Sequence, residues 1–197
     1  MKVFLLGPPR PGLSDYLRSV GDEVLYSKRE IAAQSPGLKA MDFIVSYGYR
    51  YKISSVVLSQ FRHKAINLHI SLLPWNRGAD PNLWSFLENT PKGVTIHCLD
   101  DGIDTGNILF QQEVIFSSET TLRATYERLS REIEDLFRQK WPLIRRGSVQ
   151  KTPQTGPGTY HRSQDRAAYE HLLVKGWDTS VSEIIGKAIP STPRSSP

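Results

Sequence analysis

The chain has 197 residues, 39% of them hydrophobic and 23% charged, with a net charge of +5. That length suits one domain with a full core and a small extension, and no apolar run approaches the roughly 20 residues of a membrane helix, so no membrane is expected as a partner. A single cysteine, Cys98, excludes an internal disulfide pair and points to a reducing, cytoplasmic setting.

In chain order, Lys2–Leu6 reads as a buried strand and not as a leader, because Gly7-Pro8-Pro9 breaks its apolar run at once. Ser14 is a candidate N-cap for a helix to Val20, which Gly21 ends. Glu23–Tyr26 and Asp42–Ser46 follow as strands, and Val56–His63 has weak helical spacing. Ala65–Ile70 is the fourth strand, Asn82–Leu87 the core of a short helix, and Val94–Leu99 and Ile108–Val114 are further strands. The clearest helix begins at Thr121. Leu122, Tyr126, Leu129, Ile133, Leu136 and Phe137 recur at spacings of three or four, a stripe expected to pack on the sheet. Arg145, Arg146 and Gly147 suit its C-terminus better than a nucleic-acid patch, since no aromatic residues interleave with the basic ones. Strands alternating with helices predict an α/β fold with a largely parallel sheet covered on both faces. The composition then changes. Gln150–Gly158 reads as a Thr-, Pro- and Gly-rich connection, Asp165–Val174 as a small helix and Ile189–Pro197 as a disordered tail. The expected organisation is a core over 1–147, an extension over 148–188 and the tail.

The stretch with most chemistry is Ile66-Asn67-Leu68-His69-Ile70. A strand sends alternate side chains to opposite faces, so the aliphatic residues share one face and Asn67 and His69 share the other. In an open parallel sheet, ligands bind beyond the carboxyl ends of strands, and this pair sits near such an end. An asparagine amide donates to an oxyanion without carrying charge. A neutral histidine takes a proton from an attacking amine. Together they suit acyl transfer onto nitrogen by direct attack, since no Ser-x-Gly elbow or activated cysteine is evident. The alternative is a satisfied core histidine beside a turn-capping asparagine. Downstream, Leu99-Asp100-Asp101-Gly102-Ile103-Asp104-Thr105-Gly106 places three acids after a buried strand. It reads as a solvated turn, or as the source of a carboxylate for His69. EF-hand spacing and zinc-spaced Cys/His clusters are absent, so no metal is expected.

Asn67-Leu68-His69, Ser71-Leu72-Leu73-Pro74 and Asp104-Thr105-Gly106, in this order, resemble the 10-formyltetrahydrofolate-dependent formyltransferases. The resemblance covers roughly Val3 to Arg146. It implies a Rossmann-like core, 10-formyltetrahydrofolate as formyl donor, and Asn67, His69 and Asp104 as the catalytic trio. Trp75-Asn76-Arg77-Gly78-Ala79-Asp80-Pro81-Asn82, Thr90-Pro91-Lys92-Gly93-Val94-Thr95-Ile96-His97 and Gly158-Thr159-Tyr160-His161-Arg162 are most similar to the sugar N-formyltransferases. These imply a nucleotide-linked amino sugar as acceptor, in surface polysaccharide synthesis, and no nucleic acid. The length does not accommodate the extra C-terminal domain of the enzymes that formylate initiator methionyl-tRNA. Gly7-Pro8-Pro9-Arg10-Pro11-Gly12 departs from the glycine-rich phosphate loop of glycinamide ribonucleotide formyltransferases, because proline removes backbone donors. Arg10 is expected to supply charge there instead.

By the same resemblance, Tyr49, Arg50 and Tyr51, with Leu99, Asp101 and Gly102, border the pterin, largely through backbone groups. Arg77 is expected to hold a pyrophosphate in a bidentate contact, or else to form a surface salt bridge. Trp75 stacks on a base or packs, Tyr160 and His161 reach the nucleotide sugar, and His97 supports the acidic loop. The segment after Gly147 resembles segments that make dimers in related enzymes, which implies a homodimer. The competing readings are a formyltransferase for another small amine and a silent folate- or nucleotide-sugar-binding protein.

Overall fold

In the computed structural model, which describes residues 1–61 and 64–188, a six-stranded mixed sheet carries the fold. The expected tail Ile189–Pro197 lies outside the described residues. The first strand, β1 (Lys2–Leu6), is buried on both faces: Val3 and Leu5 enter one core cluster, Phe4 and Leu6 another. Helix α1 (Pro11–Ser19) follows, then β2 (Glu23–Ser27), β3 (Phe43–Ser46), the short α2 (Ser55–Leu58) and β4 (Ala65–His69). A two-residue strand β5 (Arg77–Gly78) precedes α3 (Pro81–Leu87), β6 (Gly93–Cys98), β7 (Ile108–Glu113) and the long α4 (Leu122–Ile144). Strand β8 (Tyr160–His161) and a set of 3-10 turns complete the described chain.

The sheet order is β2-β1-β3-β4-β6-β7. Its first four strands are parallel; β4–β6 and β6–β7 are antiparallel. The alternation of elements therefore holds for the first half, and the reversal at β6 is an addition that the pattern did not disclose. Leu129, Ile133, Phe137 and Trp141 of α4 cover one face together with Leu13 and Leu17 of α1. Ile31, Leu38, Ile53, Val57 and Phe61 cover the other face over the parallel half. The expected 165–174 helix is a 3-10 run over Ser163–Leu172. A third cluster joins Leu83, Trp84, Phe86 and Leu87 of α3 to Leu122 and to Val181, Ile184 and Ala188 of the C-terminal segment.

Two local expectations change. Helix α1 starts at Pro11, whose fixed φ suits a first helical position. Ser14 lies inside its first turn and donates its hydroxyl to the Arg10 carbonyl at 2.9 Å, so it is not the cap. Tyr126 lies outside the buried stripe, 42% exposed, because Thr125 takes the inward position between Leu122 and Leu129. Helix α4 also runs through Pro142. Proline has no N–H for the carbonyl four residues earlier, that of Arg138. The Tyr16 hydroxyl of α1 donates to that carbonyl at 2.7 Å and satisfies it. Tyr16→Phe removes this bond alone, and urea denaturation is expected to show a stability loss of about 1 kcal/mol with an unchanged m-value.

Candidate active site

Antiparallel pairing places Asn67 opposite His97 and His69 opposite Thr95. Ile66, Leu68 and Ile70 enter the α4-side core, so Asn67 and His69 face away from α4. Asp104 reaches them from the hairpin loop between β6 and β7. That loop leaves β6 beside the start of β4, where the Leu99 N–H donates to the Ala65 carbonyl at 2.9 Å, and folds back over the sheet face. Asp100 shapes it, accepting from the Gly102 N–H at 3.1 Å and the Thr105 hydroxyl at 2.6 Å. Gly106 lies so close to the Cys98 carbonyl that any Cβ would overlap it. Asp104 itself adopts φ +55°, a left-handed conformation that is costly for a residue with a side chain.

The Asp104 carboxylate is the hub. Its Oδ1 accepts from Asn67 Nδ2 at 3.0 Å and faces His97 Nε2 at 3.3 Å. Its Oδ2 accepts from the Gly78 N–H at 2.9 Å and faces His69 Nδ1 at 3.6 Å. Gly78 reaches it with φ +86°, and a Cβ there would strike the His161 carbonyl. The 3.6 Å separation is too long for a hydrogen bond. What orients His69 is the Asn76 carbonyl, 2.9 Å from Nε2. A carbonyl only accepts, so Nε2 carries the hydrogen, and in the neutral ring Nδ1 keeps a lone pair on the Asp104 side. Asn67 Nδ2 also lies 3.3 Å from His97 Nε2, while His97 Nδ1 donates to the Cys98 carbonyl at 2.8 Å.

Burial pushes the His69 pKa below the ordinary histidine value, and the Asp104 charge recovers only part of the shift. Burial alone would push Asp104 up, but His69, His97 and the Gly78 N–H outweigh it and hold the carboxyl well below the usual carboxylate range. Near neutral pH the site therefore pairs an uncharged imidazole with an ionised carboxylate.

The other expected residues are dispersed. The Tyr49 hydroxyl accepts from the Ile31 N–H and donates to the Arg29 carbonyl, each at 3.0 Å, and its ring lies 5.5 Å from that of Tyr51. Tyr49 and Leu99 pack at the margin of the second cluster, on the face that carries Asn67 and His69. Arg50, Tyr51 and Asp101 are exposed and Gly102 is half-buried. Arg10 lies across the sheet, 4.3 Å over the Tyr47 ring and 3.4 Å from the Tyr126 hydroxyl, with its Nε buried and unpartnered. Trp75 is half-buried, and its carbonyl accepts from the Ser71 hydroxyl at 2.7 Å. Arg77 donates from Nε and Nη2 to Gln154 Oε1 at 3.0 and 2.7 Å. Tyr160 is buried with its ring against Gly78. Among the described residues, no group of three or more His, Cys, Asp or Glu side chains gathers to hold a metal ion.

Asn76, in the Trp-Asn-Arg-Gly turn, is fully buried at φ +56°. Its N–H donates to the Thr159 hydroxyl at 2.9 Å, and its Oδ1 accepts from the Thr90 hydroxyl at 2.8 Å. Its Nδ2 lies 3.4 Å from Glu88 Oε2. The other Glu88 oxygen is 3.1 Å from His161 Nε2, off the line of a hydrogen bond. His161 stacks on Trp84 at 3.7 Å, so it is a packing residue here. The asparagine in a Trp-Asn-Arg-Gly turn was the one available signal, since asparagine tolerates left-handed backbone.

A base that stays neutral beside a fixed amide donor suits transfer of a small acyl group. The chain belongs to the formyl transferase family, whose model matches residues 24–139. The formyltransferase PseJ from Anoxybacillus kamchatkensis, solved in complex with UDP-4,6-dideoxy-4-formamido-L-AltNAc and tetrahydrofolate, is 53% identical. The match covers 96% of this chain and 100% of that one, with a TM-score of 0.94. A 4-N formyltransferase from Francisella tularensis shares the fold at 24% identity and a TM-score of 0.74, over 85% of this chain and 78% of that one. The methionyl-tRNA formyltransferase of Thermodesulfovibrio yellowstonii is 35% identical over 120 residues, 60% of this chain and 39% of that protein. The chain spans less than half the length of the curated relatives it matches.

The shifts at His69 and Asp104 carry a sign for stability. Unfolding returns His69 to about 6.5, so the unfolded state gains a proton that the folded state refuses, and stability falls as pH drops below that value. The Asp104 contribution stays intact there and is lost only as pH falls below about 3.9. Urea denaturation between about pH 5 and 7 is expected to show this slope, and His69→Gln to flatten it.

Proposed function

We propose that the chain transfers the formyl group of 10-formyltetrahydrofolate to the 4-amino group of UDP-4-amino-4,6-dideoxy-L-AltNAc. The carrying observation is the Asp104 carboxylate, which holds Asn67 and faces the unprotonated nitrogen of a neutral His69. The 53% identity to PseJ over nearly the whole chain supports the choice of acceptor. 10-Formyltetrahydrofolate supplies an activated one-carbon acyl group, and the donor set fits it, since one N–H donor and one base converge on the same face.

In this reading His69 Nδ1 removes the proton of the attacking amine. The imidazolium that results has Asp104 Oδ2 as its counter-charge, and His69 then delivers the proton to the departing folate nitrogen. Asn67 donates an N–H to the formyl oxygen as negative charge grows there. One of its hydrogens stays with Asp104; the other is the one near His97 Nε2, a contact long enough at 3.3 Å to yield to a better acceptor. A base and an oxyanion donor are each worth about two to four orders of magnitude in rate. Arg77 is the cation we assign to the diphosphate; Arg10, expected beside it, lies on the other face of the sheet with its Nε buried. Tyr49, Tyr51 and Leu99 are assigned to the pterin side.

The test is turnover, with tetrahydrofolate release followed by absorbance and the formamide product by mass spectrometry. A panel of other nucleotide-linked amino sugars and small amines serves as competitor. Wild-type protein is expected to formylate the UDP sugar at the highest kcat/KM. Asn67→Ala, His69→Ala and Asp104→Asn are each expected to lose at least about a hundredfold in kcat while remaining folded. A folded His69→Ala protein with near-normal turnover removes His69 as the base.

A further inference from the structure

One side chain outside the family-matched residues touches the trio's loop more closely than its setting suggests. Gln154 lies in the Thr-, Pro- and Gly-rich connection after α4, beyond residues 24–139. Its Nε2 donates to the carbonyls of both Asp104 and Gly106, each at 2.8 Å. Its Oε1 accepts from Nε and Nη2 of Arg77 at 3.0 and 2.7 Å. Both amide hydrogens and the amide oxygen are thus engaged.

The segment is fixed on either side of this residue. Two residues earlier, Thr152 exchanges backbone hydrogen bonds with Ile108 at 2.8 and 2.9 Å. Six residues later, β8 pairs with β5 in the register Tyr160 to Arg77 and His161 to Gly78. Gln154 therefore stands on a short anchored span, and its two donors hold the carbonyls on either side of Thr105. Asp104 keeps its left-handed φ of +55° between these constraints. A loop released from Gln154 is free to relax towards ordinary backbone, which rotates the Asp104 side chain away from Gly78, Asn67 and His69.

We propose that Gln154 is a positioning residue for formyl transfer, acting through Asp104 by pinning its loop and, through Arg77, tying that loop to β5. The inference rests on the proposed function for its kinetic arm and on the geometry alone for its spectroscopic arm.

Gln154→Leu keeps the bulk and removes every hydrogen bond; Gln154→Ala is the second variant should the first fold poorly. With 10-formyltetrahydrofolate and the UDP amino sugar, Gln154→Leu is expected to lower kcat about tenfold or more, as misplacement of a reacting group does. The KM for 10-formyltetrahydrofolate is expected to stay unchanged. In an Asp104→Asn background the same change is expected to cost less than about twofold, because residues acting as one unit are non-additive. Equal losses in both backgrounds, an unchanged kcat, or a loss confined to the KM of the sugar overturns the proposal.

The second arm is carbon-13 NMR of the Asp104 carboxyl, which needs no turnover. The carboxyl faces His69 on β4, His97 on β6 and Arg77 on β5, and none of these is removed by the substitution. In Gln154→Leu its titration is expected to move up towards the usual carboxylate value of about 3.9. An unchanged titration in the folded variant overturns the proposal. Absence of wild-type turnover with this substrate pair, by contrast, removes the proposed acceptor and leaves the NMR arm decisive for Gln154.

Discussion

The rest of the site depends on keeping one carboxylate ionised inside the protein. The Asp104 side chain is only 11% exposed, and an uncompensated charge at such depth costs several kcal/mol. Compensation comes from separate elements: the Asn67 amide on β4 and the Gly78 N–H on β5. Each has a local reason to be there. Gly78 is a glycine because of its φ and because of the His161 carbonyl behind it. Asn67 and His97 are directly opposed in the β4–β6 register. A buried charge held by groups from several elements fixes their relative positions, and that geometric rigidity is the quality a catalytic constellation needs.

The same carboxylate explains why His69 need not be bonded to it. A 2.9 Å bond to the Asn76 carbonyl sets the tautomer and leaves Nδ1 unprotonated, with the counter-charge for its protonated form already in place at 3.6 Å. Because burial outweighs that counter-charge, the resting histidine stays neutral and ready to accept a proton. The Asn76 carbonyl is in turn placed by Thr90 and by Thr159. Thr159 belongs to the segment after α4, which therefore belongs to the frame of the site as well as to the surface of the sheet.

The strand that carries Asn67 and His69 was legible because a period-two pattern is unambiguous when polar residues interrupt an aliphatic run. Ile66, Leu68 and Ile70 had to share a face, which left Asn67 and His69 together on the other. The helix stripe was legible for the same kind of reason, and failed at Tyr126, where Thr125 is small enough to take the inward position. Ser14 misled because a serine at a helix start bonds backbone whether it caps the turn or lies inside it. The reversal at β6 left no mark, since buried parallel and antiparallel strands are both apolar runs. Gln154 left none either, because its partners are backbone groups and a side chain about 50 to 80 positions away in sequence; Thr159 stood inside the Gly-Thr-Tyr-His-Arg motif, but nothing there disclosed its bond to Asn76.

The reversal at β6 has a consequence for where chemistry can occur. Had β6 run parallel to β4, its C-terminal loop would have emerged beyond the carboxyl end of the sheet, the usual place for a ligand in a doubly wound fold. Running antiparallel, β6 ends beside Ala65, at the start of β4. Its loop must then turn back across the sheet face to bring Asp104 between Asn67 and His69, and the left-handed backbone of Asp104 belongs to that return path. The loop is closed at its base, where the Cys98 N–H donates to the Asn107 carbonyl at 2.8 Å, but its tip over the sheet face needs contacts of its own. The second, two-stranded sheet of β5 and β8 supplies an anchor from the opposite side, through the Gly78 N–H to the carboxylate, and Arg77 of β5 in turn holds Gln154, which donates to the loop's carbonyls. The antiparallel half of the large sheet and the small sheet are thus coupled requirements: the first brings the carboxylate over the face, and the second keeps it there.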